Sequence, residues 1–283
     1  MTYLSDIKII KKICLLFFLY TSYILSGCNG STNKLNDQDE NQIKTTVIPA
    51  LYFTVTKRNQ HDTTSFTEGL VVHNKQLYES TGSPDNLINT KSVFGPVNLI
   101  TGEIEVKSEL DRTIYFGEGI AFLNNKIYQL TYQNQLGFIY DAKSFKRIGQ
   151  FNFKSKEGWG LTTDGTFLIM SDGTHILTFL DPINFKIVKT LNVTEDDVAV
   201  TLVNELEFIK GYIYANIFTT NHIVKIDPQN GNVIGKMDLT ALSNEAKATY
   251  PGSREMNGIA YDSVENRVFV TGKMWPFIYE IKF

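Results

Sequence analysis

Five residues of differing chemical type open five copies of one short phrase. They are Glu68 in Glu68-Gly69-Leu70, Glu118 in Glu118-Gly119-Ile120, Trp159 in Trp159-Gly160-Leu161, Asn204 in Asn204-Glu205-Leu206 and Asn257 in Asn257-Gly258-Ile259. Two carboxylates, two amides and an indole gathered at one place could carry out general acid–base chemistry against an aromatic wall. If Glu68 and Glu118 meet out of water, desolvation and mutual repulsion raise one pKa towards neutrality, where a proton shuttle works best. Spacing alone leaves a second reading open: the glycines serve the backbone, and the polar residues only hydrate a water-filled channel.

The elements that would position these residues follow from the spacing. Anchored on the aliphatic residue, the copies lie 50, 41, 45 and 53 residues apart, a period typical of repeat architectures. About seven residues after each anchor comes an aliphatic–aromatic pair, such as Leu77-Tyr78, Ile127-Tyr128 or Ile213-Tyr214, beyond a polar turn. That is a hairpin signature. A second hairpin follows, with turns at Asp141-Ala142-Lys143-Ser144, Asp181-Pro182-Ile183-Asn184 and Asp227-Pro228-Gln229-Asn230-Gly231, and two hairpins per repeat make a four-stranded propeller blade.

The fifth repeat stops after one strand of its second hairpin, at 277–283, and an unpaired run at 50–56 is available to complete it. The expected fold is therefore all-β, a five-bladed β-propeller closed by the N-terminal strand, which leaves no exposed edge. A closed ring argues for a monomer. Helix is expected only in short stretches at 194–197 and 239–247, the latter inserted between blades four and five. The phrase residues should converge on the axis. The ends of the second strands, Thr81, Thr131, Asp172, Asn216 and Lys273, add a second ring, with Phe66, Phe116, Tyr132, Phe218 and Trp275 nearby.

Composition is that of a globular protein, 42% hydrophobic and 20% charged with a net charge of −3, so nucleic acid is not an expected partner. Residues 1–27 read as a signal peptide. Lys8, Lys11 and Lys12 precede an apolar run, Ile13 to Leu25, too short to span a bilayer. Leu25-Ser26-Gly27-Cys28 then matches a bacterial lipoprotein signal, with Cys28 the lipidated residue. Removal of 1–27 takes away a net +2 and leaves −5. The polar stretch 28–47 reads as a flexible tether and 48–283 as the propeller domain. Contact with a membrane would be through the lipid only, placing the protein in the bacterial cell envelope. Of the two cysteines, Cys14 and Cys28, neither falls in the propeller, which excludes a disulfide or a thiol nucleophile there. His61, His73, His175 and His222 show no ligand spacing, which argues against a zinc site. His175 and His222 read as surface or packing residues.

Seven motifs occur in a fixed order: Phe66-Thr67-Glu68-Gly69-Leu70, Tyr78-Glu79-Ser80-Thr81-Gly82, Phe116-Gly117-Glu118-Gly119-Ile120, Gly158-Trp159-Gly160-Leu161, Ser171-Asp172-Gly173-Thr174, Asn204-Glu205-Leu206-Glu207 and Thr271-Gly272-Lys273-Met274-Trp275-Pro276. Together they resemble the plant and bacterial type of glutamine cyclotransferase, over roughly residues 50–283. The resemblance implies a five-bladed propeller that converts the N-terminal glutamine of a peptide or protein into pyroglutamate with release of ammonia. It implies no metal or cofactor, unlike the zinc-dependent animal-type cyclases. It implies Glu118 as the proton-transfer residue, Lys273 and Asn204 as polar catalytic partners and Trp159 as aromatic wall. Phe66, Glu68, Tyr132, Asp172 and Phe218 complete the substrate-binding set. Glu68 departs from a Gln common in such proteins, and Tyr132 and Phe218 stand where Trp is common. A lipid-anchored propeller that binds a peptide or glycan without turnover is the alternative, and a metal-dependent lactonase-like hydrolase a weaker one.

Overall fold

Tight turns divide the chain into short strands, and each turn has a local cause. Asn74, Lys75, Asn124 and Asn125 take φ between 51° and 65°, the left-handed backbone that a two-residue hairpin needs and that Asn accepts most readily. The outer hairpins turn on aspartates. The Asp141, Asp181 and Asp227 carboxylates accept backbone N–H groups of Ser144, Ile183 and Gln229 at 2.7–2.9 Å.

The computed structural model describes residues 48–283. The expected signal peptide, Cys28 and the tether over 28–47 lie outside the described residues. Blade one comprises Phe66–His73, Gln76–Gly82, Val93–Pro96 and Ser108–Glu109, and blade two Gly117–Leu123, Lys126–Thr131, Leu136–Asp141 and Arg147–Asn152. Blade three runs through Leu161–Thr163, Leu168–Met170, Ile176–Leu180 and Ile187–Asn192. Blade four is Val203–Ile209, Tyr212–Ile217, His222–Ile226 and Val233–Asp238. Blade five takes Met256–Asp262, Arg267–Gly272 and Phe277–Lys282 from the end of the chain and Thr54–Gln60 from the start.

That last pairing is antiparallel, from Thr54 opposite Lys282 to Gln60 opposite Phe277. The strand lies four residues beyond the start of the run expected at 50–56. The earlier residues are used elsewhere: the Leu51 N–H donates to the Lys236 carbonyl at 2.8 Å, and Leu51 and Phe53 pack on the core shared by blades four and five. The helix expected near 239–247 is present at Thr240–Thr249 and buries Leu242 and Ala246. The one expected at 194–197 is a small hairpin instead, Thr194–Glu195 against Val198–Ala199. Asp196 and Asp197 turn it with φ of 47° and 63°, a conformation that Asp tolerates and a helix does not use.

Neighbouring blades bury their apolar faces on each other; Ile169, Leu177 and Phe179 of blade three join Leu206, Ile213 and Ala215 of blade four in one cluster. At the axis the innermost strands come closer still. A Cβ on Gly119 would lie 2.4 Å from the Leu161 nitrogen, and one on Gly160 2.2 Å from the Asn204 carbonyl oxygen. No side chain fits, so glycine is required there.

Blade four breaks the rule with Glu205. Its carboxylate accepts the Leu70 N–H of blade one at 3.2 Å and the Ile259 N–H of blade five at 2.8 Å. Two residues on, Glu207 accepts the Tyr261 N–H at 2.8 Å and the Thr162 hydroxyl at 3.2 Å. Both carboxyls are buried. Burial pushes Glu205 well above the usual carboxylate range and Glu207 up to about 8, against the pull of these hydrogen bonds.

For Glu207 the sign is definite. The folded carboxyl keeps its proton to about pH 8 while an unfolded one loses it near 4.5, so the folded state binds more protons between those values and its stability falls as pH rises through them. Glu207→Gln cannot ionise. Its urea midpoint should decline less than the wild-type midpoint from about pH 5 to about pH 9; parallel curves would contradict the assignment.

Candidate active site

Because the phrase starts each innermost strand, its leading residues enter the axis from one end. Glu68, Glu118, Trp159 and Asn204 line a cavity of about 180 Å³ together with Lys273, Phe66, Tyr132 and Phe218. Pro84 and Phe116 complete the lining. Eight of the nine sequence-expected catalytic and substrate-binding residues are thus brought together. Asp172 is the exception. Its carboxylate accepts the Thr174 N–H at 3.1 Å and the Thr174 hydroxyl at 2.5 Å, closing a turn in which Gly173 has φ +77°. A Cβ on Gly173 would lie 2.6 Å from the Trp159 ring, so this turn supports Trp159 from behind and Asp172 does not reach the cavity.

The rest of the expected second ring also serves the backbone. The Thr81 and Thr131 hydroxyls donate to the Lys91 and Leu136 carbonyls at 2.6 and 2.5 Å, and the Asn216 side chain accepts the Gly258 N–H at 3.0 Å. Lys273 alone of that ring faces the cavity, and the turn carrying it is fixed from several sides. Its N–H donates to the Glu255 carbonyl at 2.9 Å, and the Met274 N–H donates to the Ser65 carbonyl at 2.7 Å. Trp275 is fully buried behind the turn, donating its indole N–H to the Arg254 carbonyl at 2.9 Å. His61 lies 2.8 Å from the Trp275 carbonyl and 3.1 Å from both Glu79 carboxylate oxygens. Burial disfavours a charged His61, but Glu79 outweighs it and the imidazole pKa is raised.

The Lys273 ammonium lies 2.7 Å from Glu68 Oε1 and 4.5 Å from the centre of the Phe66 ring. Asn257 does not line the cavity; its amide donates to Glu68 Oε2 at 3.1 Å and to the Thr67 carbonyl at 3.0 Å. Glu68 is therefore held by a cation and an amide. Burial raises its pKa to about 7, with Lys273 pulling down.

Glu118 is placed differently. It is buried, yet among the described residues no donor reaches its carboxyl within hydrogen-bonding distance. Burial first, then the charge of Glu68, pushes its pKa well above the usual range, and Lys273 opposes this in part. Of the two coupled acids, Glu68 ionises first because the ammonium favours its charged form, and Glu118 keeps its proton longer. The Asn204 amide is also without a protein partner: its Oδ1 is buried and unbonded, a state that a native site reserves for a ligand or water.

The backbone beneath these groups is tied by residues that carried no assigned role in the sequence. Ser80 donates to the Glu118 carbonyl at 2.6 Å and in turn accepts the Gln129 amide at 3.0 Å, while Tyr140 donates to Gln129 at 3.1 Å. Ser171 does the same for the Asn204 carbonyl at 2.7 Å. A serine ten residues after the aliphatic anchor in two repeats, Ser80 after Leu70 and Ser171 after Leu161, was a legible signal. The aromatic wall is built edge to face, with Phe66 on Phe116 at 6.1 Å and Trp159 on Phe218 at 5.5 Å between ring centres.

A family model described as glutamine cyclotransferase matches residues 28–283. The chain belongs to the glutamine cyclotransferase family. A glutaminyl-peptide cyclotransferase of Arabidopsis thaliana is 38% identical over 224 residues, covering 78% of this chain and 68% of that protein. The crystal structure of Myxococcus xanthus glutaminyl cyclase superposes with a TM-score of 0.74 at 32% identity, covering 81% of this chain and 95% of that one.

Within this cyclotransferase, charge coupling between Glu68 and Glu118 can be tested directly. Glu68→Gln keeps a hydrogen-bonding group beside Lys273 and Asn257 but removes the negative charge. Both that loss and the freed lysine charge favour ionised Glu118, so its carboxyl should titrate at lower pH in 13C NMR of glutamate-labelled protein. An unchanged midpoint would refute the coupling.

Proposed function

We propose that this glutamine cyclotransferase closes the N-terminal glutamine of peptides and proteins to pyroglutamate and releases ammonia. The single observation that carries the assignment of roles is the buried, unpartnered Glu118 carboxyl facing the Lys273–Glu68 ion pair and the free Asn204 amide in one cavity. At about 180 Å³ the cavity falls below the roughly 300–1,000 Å³ of pockets for drug-sized ligands. It suits one glutamine residue, with the rest of the peptide outside.

In this reading the α-amine nitrogen attacks the side-chain amide carbon. The reaction is intramolecular and needs chiefly that the extended side chain be folded into a five-membered geometry. Phe66, Trp159, Tyr132 and Phe218 enclose its aliphatic part and exclude water. As the C–N bond forms, charge develops on the amide oxygen, where the Lys273 ammonium and the Asn204 amide can donate. Glu118 takes the proton from the attacking nitrogen and delivers it to the departing one. The old C–N bond breaks, ammonia leaves, and the carboxyl returns to its starting state. A pKa raised towards neutrality fits a group that must both accept and give up a proton. Glu68 is committed to Lys273 and acts by holding that ammonium in place.

The leader motif supports a further part of the proposal: Cys28 carries lipid and holds the enzyme, as a monomer, at a bacterial envelope membrane with the propeller outside the bilayer. Metabolic labelling with an alkyne fatty acid should mark the wild type and not Cys28→Ala; equal labelling would refute lipidation.

Incubation of the 48–283 domain with a Gln-initiated peptide should produce the loss of one ammonia by mass, and Glu118→Gln should reduce kcat by about 10²–10⁴-fold with an unchanged melting temperature. Absence of mass loss with the wild type would overturn the function. Turnover in Glu118→Gln within a few-fold of wild type would overturn the role of Glu118.

A further inference from the structure

We propose that Glu157 is a positioning residue of this active site: from the cavity rim its carboxylate orients the Trp159 wall and sets the electrostatic surroundings of Glu118. The proposal rests on the cyclisation reading above. Glu157 lies two residues before Trp159, in the connection from blade two to blade three. It is half-buried, and each carboxylate oxygen has a fixed partner. Oε2 accepts the Trp159 indole N–H at 2.9 Å, and Oε1 accepts the Gln133 amide at 3.0 Å. Gln133 adjoins Tyr132, the wall residue contributed by blade two. One carboxylate therefore ties the second-to-third blade connection to both sides of the aromatic wall.

Packing alone does not fix the indole. The Gly173 turn supports one face and Phe218 meets the ring edge to face at 5.5 Å, but apolar contacts leave a flat ring free to slide in its own plane. The bond from Nε1 to Glu157 supplies the directional restraint. The indole bond is part-buried, and the Gln133 contact lies at the surface.

The carboxylate also acts through space. The charged groups around Glu118 are Glu68, Lys273 and Glu157, with Glu255 further out beside Glu68; Glu157 in turn faces Glu118 and the Tyr132 phenol, and Lys154 and Lys156 flank it in its own loop. Glu157 adds to the upward push on Glu118, after burial and Glu68. It likewise raises the Tyr132 phenol, after burial. Being half-exposed, it is screened more than Glu68 and contributes the smaller share.

Two variants separate the hydrogen bond from the charge. Glu157→Ala removes both. Glu157→Gln keeps an oxygen that can accept the indole N–H and removes the charge alone. With a Gln-initiated peptide, Glu157→Ala should raise KM about tenfold, as expected for losing a hydrogen bond to a charged group, with kcat within about threefold. Glu157→Gln should restore KM to within about threefold of wild type. In both, the acid limb of kcat/KM should move to lower pH. Acrylamide quenching of tryptophan fluorescence needs no turnover and should increase in Glu157→Ala but not in Glu157→Gln. A wild type that does not cyclise would defeat the functional reading, and the quenching pair would still decide whether Glu157 orders Trp159. The proposal is overturned if Glu157→Ala keeps wild-type KM and quenching, if Glu157→Gln is as impaired as Glu157→Ala, or if neither variant moves the acid limb. Should Glu157→Ala fail to fold, the acid limb and KM of Glu157→Gln decide alone.

Discussion

Everything in this molecule follows from how closely the innermost strands approach at the propeller axis. Backbone meets backbone there, with a Gly119 Cβ 2.4 Å from the next blade's nitrogen and a Gly160 Cβ 2.2 Å from the next carbonyl oxygen. In blades one to three the glycine cannot carry a side chain, and the residue just before it, Glu68, Glu118 or Trp159, projects into the cavity. Five blades make the mouth narrow. A narrow mouth excludes water, and exclusion of water is what changes the chemistry of the carboxyls that enter it.

Three acids and one cation then divide the work by environment rather than by residue type. Glu68 has Lys273 at 2.7 Å and the Asn257 amide at 3.1 Å, so its charge is held. Glu118 has the same burial and no such partner, so its affinity for a proton is raised, and in the proposed reaction its ionised form accepts a proton and gives it back. Glu205, at the place of a glycine, spends its oxygens on the Leu70 and Ile259 N–H groups of two other blades and closes the ring instead of serving the cavity. Moving a cation or a donor by a few ångströms would exchange these duties. The lysine turn is accordingly fixed by Trp275 and His61, neither of which touches the cavity.

The repeat made much of this legible. Phrase spacing yields the blade number, and turn chemistry the hairpins. The leading residues identify the mouth because chemistry varies there while the scaffold repeats. What escaped the sequence depends on side-chain direction. Asp172 stands beside a cavity residue in register, but its oxygen is consumed by the Thr174 turn. The stretch 194–197 reads as helix, and the structure makes it a small hairpin because Asp196 and Asp197 take the left-handed backbone. The N-terminal strand is displaced from 50–56 to Thr54–Gln60 because Leu51 finds an apolar partner surface in the core between blades four and five. Gln129 donates to Ser80 across two blades, a separation that leaves no local pattern, and Glu157 acts through the direction of its side chain.

Burial and neighbouring charge raise the pKa of the Glu118 carboxyl, and in the proposed cyclisation this group carries the proton. The most direct measurement is the pH titration of Glu118 in the wild-type enzyme, its 13C resonance assigned by comparison with Glu118→Gln, set beside the acid limb of kcat/KM for a Gln-initiated peptide. The expected midpoint lies well above the usual carboxylate range of about 4 and coincides with the kinetic limb. A Glu118 carboxyl already fully ionised at about pH 5, with activity still rising above it, would refute both the raised pKa and the role given to Glu118.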